Sequence, residues 1–263
     1  MIRAVLFDLD ETLILDAPVT EQALRSTADH ASVVYPRLDP GRLAEEALET
    51  AQRLWRESPH FAYCNRIGHS AGEGLWARYD TGSHPAIAAL RAWVPRYRVD
   101  TWLAPLASQG VFDPALAADL AEQYLAARRH YPCFPEVANV LAALRPGYLL
   151  GIVTNGVPDL QREKIAGCGL AGRFHAAVVS GEIDCGKPDP GIFQHICGEL
   201  GVQPAECLMV GDNPARDVLG AKNAGMQSVW VRRHGRARDE RYHADLDCTD
   251  LRELLPWLTQ QRA

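Results

Sequence analysis

Lysine is almost absent from this chain of 263 residues. Of its 27 basic side chains only three are lysines, Lys164, Lys187 and Lys222, so the first 163 residues contain none. A codon bias towards arginine would account for most of this pattern. Each remaining lysine is still a position where a compact ammonium group can serve a purpose that a planar guanidinium cannot.

Other features are missing as well. No apolar run approaches the roughly 18 residues that a membrane span needs, and the acid at position 8 leads us to expect that the first residues are not a secretory signal. The net charge is −6 without a basic block, which argues against nucleic acid or an anionic membrane as a partner. Seven scattered cysteines form no CxxC pair, as in a reducing compartment. We therefore expect a cytoplasmic monomer or homodimer that acts on a small molecule.

The composition that remains, 47% apolar and 23% charged, is typical of a folded chain with a core. The apolar run over residues 2–9 indicates a buried central strand. Further strands are predicted over 148–154, 176–180, 207–210 and 227–231, each separated from the next by a helical segment. Alternating strands and helices favour a parallel sheet with right-handed crossovers. The predicted fold class is therefore α/β, with a Rossmann-like doubly wound sheet.

A long helical segment interrupts this pattern after the first strand. Asp39-Pro40 and Asp113-Pro114 each place an N-cap aspartate before a proline at the first helical position. Another helix is predicted over 85–98, and no strand-like alternation occurs nearby. We predict an all-helical insert over 15–131 and a core domain formed by 1–14 and 132–263.

Polar residues follow the predicted strands, where the binding crevice of a parallel sheet lies. They are Asp8 and Asp10, Thr154-Asn155-Gly156, Lys187, and Asp212 with Asp217. Four carboxylates in one crevice would repel each other unless a hard cation neutralised them, and oxygen ligands indicate magnesium. The hydroxyl, amide and ammonium groups could bind a tetrahedral oxyanion. This pattern predicts a magnesium-dependent phosphoryl-transfer site.

Some of these residues also have simpler explanations. Asp217 alone would complement the dipole of a helix capped by Asn213, and Asp189 is predicted to be an N-cap. Asp8 differs, because an acid at the end of a buried strand costs free energy unless it has a partner. A second acid at Asp10, followed by Thr12, is not explained by packing.

The segment from Phe7 to Leu13 resembles the first motif, Asp-x-Asp-x-Thr, of the haloacid dehalogenase superfamily. Its further motifs resemble Thr154-Asn155-Gly156, Gly186-Lys187-Pro188, and Gly211-Asp212 with Asp217. Four motifs in the right order and on matching elements are specific to this superfamily. The stretch from Val153 to Val231 is most similar to the branch that holds N-acylneuraminate-9-phosphatase and pyrimidine 5'-nucleotidases, and the insert occupies the position of that branch's cap domain.

The resemblance implies a role for each residue. Asp8 would be the nucleophile that forms an aspartyl-phosphate, and Asp10 would act first as general acid and then as general base. Magnesium would be bound by Asp8, the backbone carbonyl of Asp10 and Asp212, while Thr12 and Asp217 would orient the residues that contact the metal and phosphate. Phosphate would be bound by Thr154, Asn155 and Lys187. Lys187 would also shield the negative charges of phosphate and Asp8 from each other.

These roles describe a phosphomonoesterase for a small phosphorylated metabolite. A dehalogenase is disfavoured, because the dehalogenases of the superfamily have no acid at the position of Asp10. A receiver domain is disfavoured, because receivers place adjacent acids after the first strand. A phosphomutase with the same motifs stays open as an alternative, and so does an inactive protein that binds a partner through its insert.

Within the insert, Arg66 and His69 are candidates for contacting an anionic substrate, although a solvated surface loop is the stronger interpretation of their glycine-rich segment. Arg128 to His130 are interpreted as an exposed helix end. For the lysines, we predict that Lys187→Arg loses most turnover. Lys164 and Lys222 are predicted to tolerate arginine.

Overall fold

In the computed structural model, which describes residues 1–261, the chain divides into two compact units. One unit comprises Met1–Leu15 together with the chain from Tyr131 onwards, and the other comprises Asp16–His130. The first contains every strand of the described chain and the second is helical. None of the helices described is both long and apolar enough to cross a membrane.

The α/β unit is built on a six-stranded sheet in which every neighbouring pair is parallel. Its strands are β1 (Ala4–Phe7), β2 (Leu149–Thr154), β3 (Ala176–Val179), β4 (Cys207–Gly211), β5 (Gln227–Val231) and β6 (Leu246–Cys248). The strand order β3-β2-β1-β4-β5-β6 is that of a doubly wound Rossmann-like sheet, which confirms the predicted fold class.

Helices of the α/β unit alternate with these strands. They are α7 (Val137–Leu144), α8 (Pro158–Gly167), α9 (Ser180–Ile183), α10 (Pro190–Leu200), α11 (Leu219–Ala224) and α12 (Leu254–Gln260). Asp189 caps α10 by accepting a hydrogen bond from the backbone N of Gly191, as predicted, and Gly201 ends that helix in the left-handed region.

Strand β1 is buried on both faces, as its continuous apolar sequence predicts. Val5 and Phe7 pack in a core cluster with residues of α7 and α12, whereas Ala4 and Leu6 pack in a second cluster with residues of α10. Successive side chains of a strand point to opposite faces. Helices therefore cover both faces of the sheet, and β1 lies at the centre of the unit.

The helical unit contains α1 (Ala17–Val34), α2 (Pro40–Glu57), α3 (Phe61–Ile67), α4 (Ala71–Gly74), α5 (Pro85–Ser108) and α6 (Pro114–Ala127). Asp39 and Asp113 cap α2 and α6 through their side chains, as predicted. Helix α5 is ten residues longer than the predicted 85–98 and contains Pro95 and Pro105. Packing of its buried residues outweighs the cost of these prolines.

The α/β unit ties together the two points where its chain is interrupted. The backbone N of Leu15 donates to the carbonyl of Pro132 at 2.8 Å, and Ile14 forms an antiparallel bridge with Cys133. The chain thus leaves and re-enters this unit at one place, beside the loop that follows β1.

Two elements of the α/β unit differ from the sequence prediction. The helix predicted to follow its cap at Asn213 is divided into a π-helical turn, Pro214–Val218, and α11. Strand β6 was not predicted, because three residues, of which only Cys248 is buried, carry too little pattern to signal a strand.

Candidate active site

The polar residues that follow β1, β2 and β4 meet at the carboxyl edge of the sheet. Because β1 is paired with β2 on one side and with β4 on the other, the strand order reverses there. Such a reversal opens a crevice at the strand ends in doubly wound folds. Asp8 follows β1 directly, and Asp212 follows β4.

Lys187 connects two of the predicted acids. Its Nζ donates to Asp8 Oδ1 at 2.6 Å and to Asp217 Oδ1 at 2.7 Å. The Lys187 side chain is only 2% exposed. A buried ammonium group of this kind is stable only with charged or hydrogen-bonded partners, and here two carboxylates supply them.

Asn155 fixes the backbone of Lys187. The Asn155 Nδ2 donates to the Lys187 carbonyl at 3.0 Å, and the Lys187 backbone N donates to Asn155 Oδ1 at 2.8 Å. Phosphate binding by Asn155 stays a prediction, and these two hydrogen bonds show that its amide also serves the backbone of Lys187. A buried amide needs such partners. Its observed effect is to hold the loop that carries the lysine.

Thr154 and Thr12 are both fully buried. The Thr154 hydroxyl donates to Gln161 Oε1 at 3.2 Å rather than pointing at an open space. The Thr12 Oγ1 has no hydrogen-bond partner among the described residues, whereas the Thr12 carbonyl accepts a hydrogen bond from Arg233. The Thr154 hydroxyl can therefore donate to a phosphate only if it gives up its hydrogen bond to Gln161.

Asp217 is held in place by its own loop. The backbone N of Asn213 donates to Asp217 Oδ2 at 2.9 Å. A Cβ atom at position 211 would lie 2.2 Å from the Asp217 carboxyl group, so only glycine fits at Gly211. The π-helical turn brings Asp217 close to Gly211, which a pattern of apolar residues does not reveal.

Carboxylate oxygens of Asp8, Asp212 and Asp217 lie within 4.8 Å of one another, a spacing at which they could hold a metal ion. Burial raises the pKa of Asp8 to about 6, with a further contribution from Asp217, against the opposing effect of Lys187. Burial and the neighbouring Asp8 and Asp217 raise the pKa of Asp212 to about 8. Three carboxylates at this spacing offer oxygen donors of the kind that a hard cation such as magnesium prefers.

The pKa of Lys187 is also raised. Burial by itself lowers the pKa of this ammonium group, but the attraction of Asp217 and Asp8 outweighs it. Lys187 therefore keeps its positive charge at neutral pH.

Asp10 does not belong to this carboxylate cluster, since its side chain pairs with a different lysine. Lys164 Nζ donates to Asp10 Oδ1 at 2.9 Å and to Oδ2 at 3.0 Å, and the Lys164 side chain is fully buried. The expectation that Lys164 tolerates arginine did not include these two contacts with Asp10. The helical period of the sequence could have revealed that Lys164 is buried, because it lies on one face of α8 with Leu160 and Ile165.

The segment after β5 contributes two arginines, Arg233 and Arg236, that lie outside the four sequence motifs. Arg236 donates to the Asp212 carbonyl at 3.1 Å and lies 3.5 Å from the Asp212 carboxylate. Arg233 donates to the Thr12 carbonyl at 3.0 Å and pairs with Glu136 at 2.7 Å. These arginines follow a strand end, the same positional signal that identified the other site residues.

The two substrate candidates of the helical unit have different surroundings. His69 is buried, with its Nε2 2.8 Å from the Tyr79 hydroxyl and its Nδ1 3.3 Å from Glu73. The burial of His69 contradicts the interpretation of this position as part of a solvated loop, whereas an anion contact by His69 stays a prediction. Arg66 is exposed at the end of α3, and its guanidinium lies 5.6 Å from the Tyr63 ring centroid.

Arg128 is buried rather than part of an exposed helix end. It pairs with Asp16, donates to the Thr20 hydroxyl at 3.0 Å, and lies over the Trp76 ring at 4.5 Å. Arg129 and His130 are exposed, as expected. The hydrogen bonds and the aromatic face offset the cost of burying the guanidinium.

A cavity of about 870 Å³ lies within the helical unit, between α1, α2 and the segment around Glu73. Five acids and two arginines line it: Asp16, Glu21, Asp29, Glu45, Glu73, Arg25 and Arg128. Asp16 pairs with Arg128 and Glu21 with Arg25, so the lining keeps a net negative charge.

Comparison with known proteins identifies the family of this chain. Residues 2–225 match the family model described as haloacid dehalogenase-like hydrolase. The chain is 43% identical over 253 residues to a phosphoserine phosphatase of Thermus thermophilus, covering 96% of this chain and 97% of the relative. It is 42% identical over 109 residues to the mouse N-acylneuraminate-9-phosphatase, covering 41% of this chain and 44% of that protein.

Among solved structures, a 2-haloacid dehalogenase from Pseudomonas syringae pv. tomato is similar over 99% of this chain and 100% of that one, with a TM-score of 0.62 and 27% identity. The family match covers most of the chain, and the relative with the greater coverage is aligned along almost its whole length. The resemblance seen in the four motifs is thereby confirmed: the chain belongs to the haloacid dehalogenase-like hydrolases, in which the relatives named here by sequence are phosphatases.

Proposed function

We propose that this protein is a magnesium-dependent phosphomonoesterase that acts through an aspartyl-phosphate intermediate. The observation that carries the proposal is the contact of Lys187 with both Asp8 and Asp217, beside the carboxylate of Asp212. A nucleophilic carboxylate, a fixed cation and a set of metal-binding oxygens are the components that phosphoryl transfer needs.

In the first step, an Asp8 carboxylate oxygen attacks phosphorus, and the bond from phosphorus to the leaving oxygen breaks. Asp10 donates a proton to that leaving oxygen, which departs as an alcohol. Lys187 keeps Asp8 oriented and offsets the negative charge that gathers as the phosphoryl group approaches.

In the second step, water attacks the phosphorus of the aspartyl-phosphate. Asp10, now a carboxylate, takes the proton from the water, and the bond between phosphorus and the Asp8 oxygen breaks. Phosphate leaves and Asp8 returns to its starting state. One carboxyl group thus serves both half-reactions.

Asp8, Asp212 and the backbone carbonyl of Asp10 would hold the magnesium ion. Asp217 and Thr12 would orient these ligands without contacting the ion. When bound, the ion supplies positive charge for the phosphoryl oxygens and relieves the repulsion between the carboxylates. Thr154 would transfer its hydroxyl donor from Gln161 to a phosphoryl oxygen. Asn155 would contribute to phosphate binding by holding Lys187 in place.

The central test replaces the nucleophile. Asp8→Asn should lower phosphate release by at least about 10⁴-fold, because the amide cannot form the acyl-phosphate. The melting temperature should not fall, since the change removes one of several repelling carboxylates. Retention of activity in this variant would refute the role of Asp8, and wild-type activity that survives chelation with EDTA would refute the metal requirement.

As the substrate we propose O-phosphoserine or a closely similar phosphorylated amino acid. The full-length relative is named as a phosphoserine phosphatase. The net negative lining of the cavity in the helical unit suits a leaving group that carries an ammonium group. The helical unit would then act as a cap that recognises the leaving group.

A matched pair of substrates tests this assignment. Wild-type protein should hydrolyse O-phosphoserine at least about tenfold more efficiently than 3-phosphoglycerate, which carries a hydroxyl group where phosphoserine has the ammonium. Glu45→Gln should reduce that preference, whereas Glu49→Gln, one turn further along α2 and outside the cavity, should not. Equal use of both substrates would refute an ammonium-binding cavity.

The same assays separate the remaining alternatives. A phosphomutase would return an isomeric phosphate ester instead of inorganic phosphate, and an inactive binding protein would release neither.

All seven cysteines are free, which supports our proposal that the protein works in the reducing cytoplasm.

A further inference from the structure

We propose that Lys164 is a positioning residue for Asp10, holding its carboxyl group in the orientation required for proton transfer. This inference rests on the proposed function, because it concerns the residue assigned there as general acid and base. None of the four sequence motifs includes Lys164, which lies on α8 three residues after Gln161.

The contact geometry restricts how the Asp10 side chain can turn. A single ammonium group lies 2.9 Å from one carboxylate oxygen and 3.0 Å from the other, so rotation of the carboxyl plane breaks at least one contact. A carboxylate has about four lone-pair sites, and this arrangement uses one on each oxygen. The contact with Lys164 therefore does not prevent the Asp10 carboxyl group from forming a hydrogen bond with a substrate oxygen or a water molecule.

Lys164 extends from a helix that is packed in the interior of the α/β unit. The Lys164 side chain is fully buried, while that of Asp10 is 26% exposed. Helix α8 packs against Tyr131, whose hydroxyl donates to Glu163 at 2.7 Å. A Cβ at Gly167 in the same helix would lie 2.3 Å from the Tyr131 ring, so helix and ring are in close contact. Lys164 therefore projects from a fixed support to the accessible acid.

The backbone around Asp10 is restrained separately. Leu13 donates to the carbonyl of Leu9 at 2.9 Å, and Glu11 to that of Ile14 at 2.9 Å. These hydrogen bonds set the path of the main chain, but they leave the Asp10 side-chain torsions to other contacts. Proton transfer requires a donor oriented towards the reacting oxygen, and a misplacement of about 1 Å costs roughly 100-fold in rate. The Lys164 contact supplies this restraint.

The test exploits leaving groups that differ in their need for a proton. 4-Nitrophenolate departs without protonation, whereas the alkoxide of O-phosphoserine requires a proton in the transition state. Lys164→Met should lower kcat/KM for O-phosphoserine by about 100-fold. For 4-nitrophenyl phosphate the loss should stay below about threefold. Lys222→Met, the same substitution at the exposed third lysine, should change neither value.

A double-mutant cycle guards against a merely structural effect. Asp10→Asn should show the same selective loss, and adding Lys164→Met to it should lower kcat/KM by less than about twofold more. The double variant also leaves no unpaired buried charge, so it should fold even if Lys164→Met alone does not. Lys164→Arg keeps the charge with a wider head group, and we expect a partial loss of about tenfold on O-phosphoserine alone.

Each outcome is decisive. Equal losses of both esters in Lys164→Met, or a full additional loss in the Asp10→Asn background, would overturn the positioning role while leaving the proposed function intact. If the wild-type protein releases phosphate from neither ester, the proposed function fails, and the inference fails with it.

Discussion

The buried charges of the two units follow different rules. In the helical unit, Arg128 pairs with Asp16 and lies on an aromatic face, so the pair is balanced. At the strand ends of the α/β unit, the carboxylates of Asp8, Asp212 and Asp217 lie beside one buried cation, Lys187, and the exposed Arg236 lies 3.5 Å from Asp212. Burial raises the pKa values of Asp8 and Asp212 to about 6 and about 8. Balance is typical of a structural role, whereas an uncompensated excess of one sign indicates a place for a charged ligand.

After replacement of the nucleophile, the largest expected effect comes from changing the cation in the unbalanced cluster. Lys187→Arg should lower phosphate release by roughly 10²- to 10³-fold, because a guanidinium cannot bring one nitrogen within 2.6 and 2.7 Å of both carboxylates in a site this closed. The melting temperature should stay close to that of the wild type, as should the activity of the control variant Lys222→Arg. Full activity of Lys187→Arg would show that only its charge matters.

A second change breaks the balanced pair instead. Arg128→Met should reduce the free energy of unfolding by about 3 kcal/mol, since Asp16 loses its partner and Thr20 a donor. Chemical denaturation would measure this effect. The variant Arg129→Met, at an exposed neighbouring position, is the control. An unchanged midpoint would mean that the pair adds nothing to stability.

Magnesium and pH together sharpen the contrast. Because the pKa values of Asp8 and Asp212 are raised, the folded state binds more protons than the unfolded state between about pH 4 and 8. In EDTA, the melting temperature should therefore fall as pH rises through this range. Magnesium, whose ligands must be deprotonated, should raise it more at pH 8.5 than at pH 5.5. Asp212→Asn should weaken both trends, and identical behaviour of variant and wild type would refute their origin in this cluster.

The smallest effect is expected for an uncharged contact of the helical unit. Tyr79→Phe removes the hydroxyl 2.8 Å from His69 Nε2 and should cost about 1 kcal/mol of stability. Turnover should not change, because His69 is buried away from solvent. A selective loss of turnover without destabilisation would instead support a substrate role for His69.

The same contrast explains how much the sequence could predict. Strand β1 and helix α10 were predictable because continuous apolar runs and capping residues act locally. The residues after β1, β2 and β4 were predictable because parallel strands bring their ends to one edge. The chemistry of these positions therefore follows from the order of strands along the chain.

Other features depend on contacts between distant segments. Lys164 and Asp10 are 154 residues apart, and nothing local in either segment specifies the partner. His69 lies in a glycine-rich stretch that reads as a surface loop, yet it is buried beside Tyr79. The amide of Asn155, whose motif implies phosphate binding, also bonds to the backbone of Lys187, a partner that no local pattern specifies. Pairing in the interior, rather than residue type, decides these roles.

The crossing point at Leu15 and Pro132 has a consequence for how the chain can change. Its hydrogen bond and the adjoining bridge between Ile14 and Cys133 close the long excursion over 16–130 at its base. Once a loop is closed, the entropy cost of making it longer grows only with the logarithm of its length. Segments of very different size can therefore be inserted at this junction with little penalty to the strands that carry Asp8 and Asp212. The segment inserted at this junction can therefore change in length and sequence while the strands of the α/β unit keep their arrangement.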